Sequence, residues 1–402
     1  MSHSTEAKIS GCKIKILHII FGYYPIVAGA EVFAQKIAEI SASEGHEVHV
    51  ITGRWGDLPR KEVINGVNVY RVHPYFRYVP AFLKALKLHQ LVNFDLVHAH
   101  LATHGGFTGF LVALFIKRPL IVTVQGGDLL EYSEQRRAKS VIWPIIMRFM
   151  IHISLNYAKI VHAVSRFMAE RARSFGAKNI VVVPNGVDTN AFHTKIEAHD
   201  LKRNLGIKKD ETVVLTVSRL TPKNDIETLI KTMAIIKDEQ FHIYKSLKLL
   251  IVGWGEQEKY LKELCIKLGV NEKVIFVGWV PHEEIPRYMA ISHLFVRPST
   301  QEGFGIVFIE AMSCGLPVVA TKRGGIIDIV EDCVNGILIE PKNEKSLAST
   351  LIKLIEHPEY AQKIAIEGRK TALRKYDWLK IYQKIVTQIY SRVLAEEATN
   401  AL

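Results

Sequence analysis

Cysteine is scarce. Cys12, Cys265, Cys314 and Cys333 are the only four in 402 residues, far apart, with no C-x-x-C and no histidines at zinc spacing. That excludes a disulfide framework and a structural zinc site, and it predicts buried thiols in a reducing, cytoplasmic setting. Long hydrophobic runs are also missing. The longest, residues 105–116 and 141–155, fall short of the roughly 20 residues a bilayer crossing needs, and Pro144, Arg148 and His152 interrupt the second. Residues 16–20 are too few for a signal-peptide core. No low-complexity tract or short-period repeat is present. The dinucleotide fingerprint fails, because Glu258 stands where Gly253-Trp254-Gly255 would need its third glycine. That argues against a nicotinamide-dependent oxidoreductase. No group of His, Asp and Glu has metal-ligand spacing along the chain, so no metal is expected.

What is abundant is positive charge. The chain holds 52 Lys and Arg against 40 Asp and Glu, a formal +12. Such a surplus favours partners that carry phosphate: nucleic acid, nucleotides or an anionic membrane surface. It is unevenly placed. Residues 1–190 hold 22 basic and 13 acidic side chains, whereas residues 191–402 hold 30 and 27. No nucleic-acid-binding module is present to go with it, so nucleic acid is not expected as a partner.

Short runs rich in Val and Ile alternate with amphipathic stretches. Residues 15–20, 46–52, 68–72, 96–100, 120–124, 160–164 and 180–183 read as strands, several apolar at consecutive positions as strands buried on both faces are. Residues 31–43, 105–116 and 166–175 have helical spacing. After the polar stretch 193–210 the pattern restarts, with strands at 212–218, 247–252, 274–277, 294–298, 317–320 and 336–339. Four helical stretches lie among them, and a last helix near 377–394 follows. This alternation predicts an α/β protein of two Rossmann-like domains, each with a parallel sheet whose strand ends carry the ligand loops.

The sharpest motif runs from Arg297 to Met312. A strand ends near Pro298, a loop holds Glu302, Gly303, Phe304 and Gly305, and a helix starts at Ile306 and Val307. Glycines let backbone approach a ligand, and the helix start offers unpaired N–H groups and a positive dipole end to phosphate. Glu310, one turn in, is placed to accept from ligand hydroxyls, and Glu302 to meet another polar part of the same molecule. Arg219 and Lys223 follow the first strand of the second domain, where two cations could neutralise a diphosphate. Gly253 ends another strand. In the first domain Gly29, Ala30 and Glu31 open a helix. His98 and His100 share one strand face, which predicts one buried and one at the ligand edge. Gln125-Gly126-Gly127-Asp128 ends the next strand.

These residues resemble the retaining nucleotide-sugar glycosyltransferases of the family-4 type, whose hallmark is Glu, seven residues, then Glu around Gly-Phe-Gly. Glu302 and Glu310 match it, and residues 311–321, Gly324-Gly325 and Asn335-Gly336 continue the match. Weaker likenesses cover most of the chain: Gly29 to Glu31, residues 45–48, 95–100 and 184–188, the Arg219 loop and Trp378. The resemblance implies a GT-B architecture of two domains facing across a cleft: 1–195 for the acceptor, 196–376 for the donor, and a helix at 377–402 packing back on the first. It implies that Glu310 holds the ribose hydroxyls and Glu302 those of the transferred sugar. Backbone amides from Phe304 to Val307 would bind the diphosphate, with Gly29, Ala30 and Gly253 also at the donor. Arg219 and Lys223 would stabilise the leaving group, and His100 would face sugar and acceptor. Three departures stand out: Ala30 replaces a glycine, Gln125 stands at the histidine of a His-Gly-x-Asp, and Asn224 stands where relatives carry the phosphate lysine.

The expected reaction moves a hexosyl unit from a UDP- or GDP-sugar to a hydroxyl acceptor, without a metal or other cofactor. No carboxylate is firmly placed under the anomeric carbon, which favours same-face attack over a covalent intermediate. A nucleotide-sugar epimerase of the same architecture is the alternative. Residues 71–92 interleave Tyr75, Phe76, Tyr78, Phe82, Leu83 and Leu86 with Arg71, Arg77, Lys84 and Lys87. Such a stretch is either ordinary core packing or a contact with an anionic membrane, which would go with a sugar or lipid-linked acceptor and a peripheral place on the cytoplasmic face.

Overall fold

The computed structural model describes residues 13–25, 29–74, 78–134 and 142–400, with the side chains of 131–134 and Asn400 left aside. Its chain divides into two units, residues 1–185 with 378–402, and residues 186–377.

Among its described residues the first unit is built on eight strands: β1 (Lys15–Ile19), β2 (Glu47–Gly53), β3 (Lys61–Ile64), β4 (Val67–Val72), β5 (Leu96–His100), β6 (Leu120–Val124), β7 (Ile160–Ala163) and β8 (Ile180–Val182). They lie in the order β3-β4-β2-β1-β5-β6-β7-β8. Every position of β5 and β6 is buried, as a parallel sheet covered on both faces requires. Only β3 runs antiparallel, paired to β4 across Asn65 and Gly66, both at positive φ. That two-residue turn makes a hairpin. β3 is short, half-exposed and at the sheet edge, so its sequence carries too little apolar signal to be read as a strand.

The helices are α1 (Gly29–Ser43), α2 (Tyr78–Val92), α3 (His104–Ile116), α4 (Gly127–Glu134), α5 (Ile142–Tyr157) and α6 (Arg166–Ser174). The C-terminal segment contributes Trp378–Ile385, a π-helical turn Val386–Tyr390, and Ser391–Asn400. Its apolar face, from Trp378 through Ile381, Ile385, Ile389 and Val393, packs with Ile16, Phe33, Ile37, Leu96 and Ile121 in one core. Burial of that stripe places the segment in the first unit.

The second unit has six parallel strands: β9 (Thr212–Val217), β10 (Leu247–Val252), β11 (Val274–Gly278), β12 (Leu294–Arg297), β13 (Val318–Thr321) and β14 (Ile337–Ile339). Their order is β11-β10-β9-β12-β13-β14. The helices that matter here are α7 (Ile226–Glu239), α8 (Glu258–Lys267), α9 (Ile306–Ser313), α10 (Glu344–Glu356) and α11 (Pro358–Lys375). Residues 186–195, expected in the first domain, fall in the second unit. Val187 N donates to the Tyr376 carbonyl at 2.7 Å, and Ser313 Oγ to the Phe192 carbonyl at 2.5 Å, which ties that stretch to α9 and α11.

Two details differ from expectation. Cys12 lies outside the described residues; Cys265 is buried, but Cys333 is exposed and Cys314 only partly covered, and burial pushes the Cys265 thiol up to about 11 and the Cys314 thiol to about 12. In each sheet the chain reverses its winding direction once, between β1 and β5 and between β9 and β12. Loops leaving the two strands there diverge and open a crevice at their carboxyl ends. Both candidate sites lie at these points.

Candidate functional site

In the second unit the crevice is framed by the loop after β9, which carries Arg219 and Lys223, and the loop after β12, which carries Glu302. Main chain and side chains lock the two together. Thr300 N and Oγ1 both donate to the Lys223 carbonyl, at 2.8 and 3.2 Å. Arg297, the last residue of β12, reaches Glu302 Oε2 at 2.8 Å and Asn224 Oδ1 at 3.0 Å. Asn224 in turn donates to the Arg219 carbonyl at 2.6 Å. Asn224, read from sequence only as a missing lysine, is buried and joins the two loops. Arg219 is exposed and Lys223 half-exposed, with side chains set at the end of β9.

Gly303 N donates to Glu302 Oε1 at 3.1 Å, so both carboxylate oxygens of Glu302 have partners. Gly305, with φ 93°, precedes α9 as its N-terminal cap residue, which leaves the amides from Phe304 to Val307 at a helix start. Phe304 itself is buried and meets the Tyr376 ring edge-on. Glu310 is buried one turn into α9, and His282 Nε2 lies 2.7 Å from its Oε1. His282 sits in the loop after β11, far from the motif in sequence, and nothing in the local pattern marked it.

Two glycines hold this frame. Gly253 (φ 130°) has no room for a side chain: a Cβ there would lie 1.9 Å from the Ser218 carbonyl oxygen. Its loop is zipped to the Arg219 loop by Ser218 N to Val252 O and Leu220 N to Trp254 O, both 3.0 Å. Gly253 thus supports the Arg219 loop by close backbone contact, and Trp254 is exposed. Gly324 (φ 56°) faces the Glu302 carbonyl oxygen, 2.1 Å from where its Cβ would be, while Gly325 N donates to that same oxygen at 3.0 Å. Gly324→Ala should therefore push the Glu302 loop away. Left-handed strain and the backbone clash together are expected to cost about 2–4 kcal/mol, read as a lower melting temperature together with weaker nucleotide-sugar binding in calorimetry.

The first unit has a cavity of about 240 Å³ at its own switch point, lined by Phe21, Gly22, Glu31, Trp55, Leu101 and His104 with His100, Thr103 and Gly105. Gly29 and Ala30 open α1, with Gly29 exposed. Sequence reasoning gave His104 no role, yet it stands half-exposed at the start of α3, hydrogen-bonded through Nδ1 to the Tyr78 hydroxyl.

His98 and His100 are both fully buried, and His100 also borders the cavity, on the ligand side expected of one of the two. β5 is interior to the sheet, and the face carrying both rings is roofed by Phe33 of α1 and Tyr390 of the C-terminal segment. His100 Nε2 lies 2.9 Å from His18 Nδ1. His98 contacts the Tyr390 hydroxyl at 2.9 Å and Thr123 Oγ1 at 2.7 Å. Thr123 continues to His162 at 3.0 Å, and His162 Nε2 donates to the Val183 carbonyl at 2.7 Å. Burial lowers the pKa of all four rings, to about 3 for His18 and about 4 for His162, and well below the usual value for His98 and His100. His18, His98 and His100 also place ligand nitrogens within 4.8 Å of one another, a cluster absent from the sequence because parallel pairing of β1 with β5 creates it. Both His98 nitrogens are already taken by Tyr390 and Thr123, so the arrangement is a neutral hydrogen-bonded row.

Asp128, too, turns inward. Its carboxylate accepts from Ala102 N at 2.9 Å and Gly126 N at 3.0 Å, pinning the loop after β5; burial raises its pKa.

Comparison with known proteins then decides the family. Residues 27–191 match the model for Glycosyltransferase Family 4, and residues 197–371 that for Glycosyl transferases group 1. The chain is 32% identical over 394 residues to an uncharacterized glycosyltransferase of Methanocaldococcus jannaschii, covering 93% of this chain and 97% of the relative. The chain belongs to glycosyltransferase family 4. It is 31% identical over 232 residues to the GDP-mannose-dependent alpha-(1-6)-phosphatidylinositol monomannoside mannosyltransferase of Mycolicibacterium smegmatis, covering 56% of this chain and 60% of that one. Among solved structures it is similar to Anabaena HepE in complex with UDP-glucose, with a TM-score of 0.77 and 26% identity over 94% of this chain and all of that one. This glycosyltransferase is thus a hexosyltransferase of the GT-B class that uses nucleotide sugars. Among its described residues, no helix is long and apolar enough to cross a membrane.

Proposed function

We propose that this glycosyltransferase moves a hexosyl unit, with retained anomeric configuration, from a UDP- or GDP-sugar to a hydroxyl of a lipid-linked acceptor. The observation that carries the reading is the lock between the β9 and β12 loops. Arg297, Asn224 and the Lys223 carbonyl hold two cations, a carboxylate and a helix start around one crevice. Breaking the anomeric bond builds negative charge on the leaving phosphates. Arg219, Lys223 and the amides at the start of α9 answer that charge in a preorganised way, without calling on a metal. Glu310 takes the ribose hydroxyls and Glu302 the sugar hydroxyls.

Glu302, whose oxygens are occupied by Arg297 and Gly303 N, is poorly suited to be a nucleophile. That supports attack of the acceptor from the face the phosphate leaves, with a leaving phosphate oxygen taking the hydroxyl proton. The acceptor is assigned to the first-unit cavity, where Glu31 and His104 supply polar contacts and Trp55 an apolar wall. The names of two relatives agree with a lipid acceptor: the phosphatidylinositol monomannoside mannosyltransferase, and the alpha-monoglucosyldiacylglycerol synthase of Acholeplasma laidlawii.

The test is incubation with UDP-, GDP- and ADP-hexoses, following slow donor hydrolysis and the anomer formed by NMR. Retention is expected, and an inverted product would overturn the reading. Arg219→Ala should lower kcat by on the order of 10²–10³-fold, the usual loss when one preorganised charge contact is removed, with a smaller change in KM.

A further inference from the structure

Residues 71–92 answer the membrane expectation only in part. Tyr75, Phe76 and Arg77 lie outside the described residues. Arg71 is buried and paired with Glu62, Tyr78 is bonded to His104, and Phe82 packs edge-on against Phe115. These three are packed, whereas Leu83 and Lys87 are exposed and Lys84 and Leu86 half-buried.

α5 is different. Met147, Met150, Ile151, Ser154 and Leu155 form its buried stripe. On the opposite side Ile142, Ile145, Ile146 and Phe149 recur at three- and four-residue spacing and are exposed, Ile145 at 65% and Phe149 at 60%, with Trp143 beside them. Its register against α3 explains why, among the described residues, none covers them. Ser154 Oγ donates to the Ala102 carbonyl at 2.9 Å and sits against Gly106, and Tyr157 meets Phe110. The two helices thus run side by side from Ser154 onward. Residues 142–152 lie before that level, so at 1.5 Å per residue about 15 Å of α5 overhangs the start of α3. His104, on the cavity wall, is the first residue of α3. The bare apolar half of α5 therefore projects from the rim that holds the cavity.

Charge names the occupant. The first unit carries 25 Lys and Arg against 14 Asp and Glu, which is +11 of the chain's +12. α5 contains Arg148 and no acidic residue, and the sequence just before it holds Arg136, Arg137 and Lys139. An apolar stripe with aromatic residues on a strongly basic body fits an anionic lipid interface. We propose that the first half of α5 docks this glycosyltransferase on an anionic bilayer, with Ile142, Ile145, Ile146 and Phe149 in the headgroup–acyl boundary. This rests on the lipid-acceptor reading above, since docking there sets the rim of the cavity at the membrane surface.

The full chain is to be co-sedimented with phosphatidylcholine vesicles containing about 30% phosphatidylglycerol, a typical anionic content, at low and high salt. Wild type should bind, more weakly at high salt. Ile145→Glu with Phe149→Glu should lose at least about tenfold in partition. Its melting temperature and donor hydrolysis should stay at wild-type values, and so should vesicle binding of a control, Ile266→Glu, on exposed α8. Ile142→Ser with Ile146→Ser gives a second variant in which polarity changes without charge. Wild type remaining in the supernatant, or either variant partitioning like wild type, would overturn the proposal. So would a dimer in light scattering that the variants dissolve while vesicle binding persists, because the face would then belong to a second copy. Vesicle binding without sugar transfer to any lipid would uphold the docking face and remove the lipid-acceptor reading alone.

Discussion

Replacing Glu310 by Ala should lower donor affinity and kcat/KM by about 10²–10⁴-fold. The carboxylate is buried one turn into α9, with one oxygen 2.7 Å from His282 Nε2. A ribose diol donating to it would make two charge-assisted hydrogen bonds, each worth about 1.5–3 kcal/mol, and every 1.4 kcal/mol is tenfold in affinity. Glu310→Gln keeps the shape and removes the charge, so it should recover part of the loss. His282→Ala should cost less, about five- to tenfold, because it removes only the group that orients the carboxylate. Calorimetric titration with the nucleoside diphosphate separates these outcomes. Unchanged affinity in Glu310→Ala would remove the ribose assignment.

Acid should unfold the first unit well before the second. His18, His98, His100 and His162 are fully buried, and burial holds their folded pKa values below the ordinary 6.5. An unfolded chain would protonate all four near 6.5. The unfolded state then binds more protons than the folded one, and stability rises with pH wherever that holds. The contribution is fully present above about pH 6.5 and is lost as the pH falls below it. Each ring contributes a slope of about 1.4 kcal/mol per pH unit, so four give up to about 5.5 kcal/mol per unit. One unit of acidification thus removes an amount comparable with the whole stability of a small domain. Urea unfolding followed by tryptophan fluorescence from pH 7.5 to 5 should show two transitions at low pH, the first of them moving steeply. Uptake of fewer than about two protons in the first transition would contradict a neutral histidine row.

Much of the fold was legible because both sheets are parallel and buried. Runs such as Leu120–Val124 in β6 and Leu247–Val252 in β10 are apolar at nearly every position, and solvent cannot impose an alternating pattern on a strand covered on both faces. β3 escaped notice because an exposed edge strand has little apolar content, and α5 because its apolar residues lie on both sides of the helix. The glycine loop and its two glutamates were legible for a local reason: loop, cap and first helical turn are all within 14 residues of Arg297. His282, Arg297 as the partner of Glu302, and Asn224 as the bridge were not, since each acts across 28 to 73 positions or through a contact that has no local signature.

His100 shows the same limit from the other side. Alternation along β5 does put His98 and His100 on one face, but which faces are roofed depends on where α1 and the C-terminal segment pack. That segment comes from the far end of the chain and brings Tyr390 onto His98. By itself the sequence determined the α/β class, the glycine loop between its carboxylates, the basic surplus of the first half and the family. These are properties of short segments and of composition. Only the tertiary structure decided that the histidines form a buried neutral row, that Asn224 and Arg297 clamp the donor loops, and that an apolar half of α5 is left bare among the described residues. Each of these follows from strand register, helix register or a packed terminus, and such long-range geometry is written in no single stretch of residues.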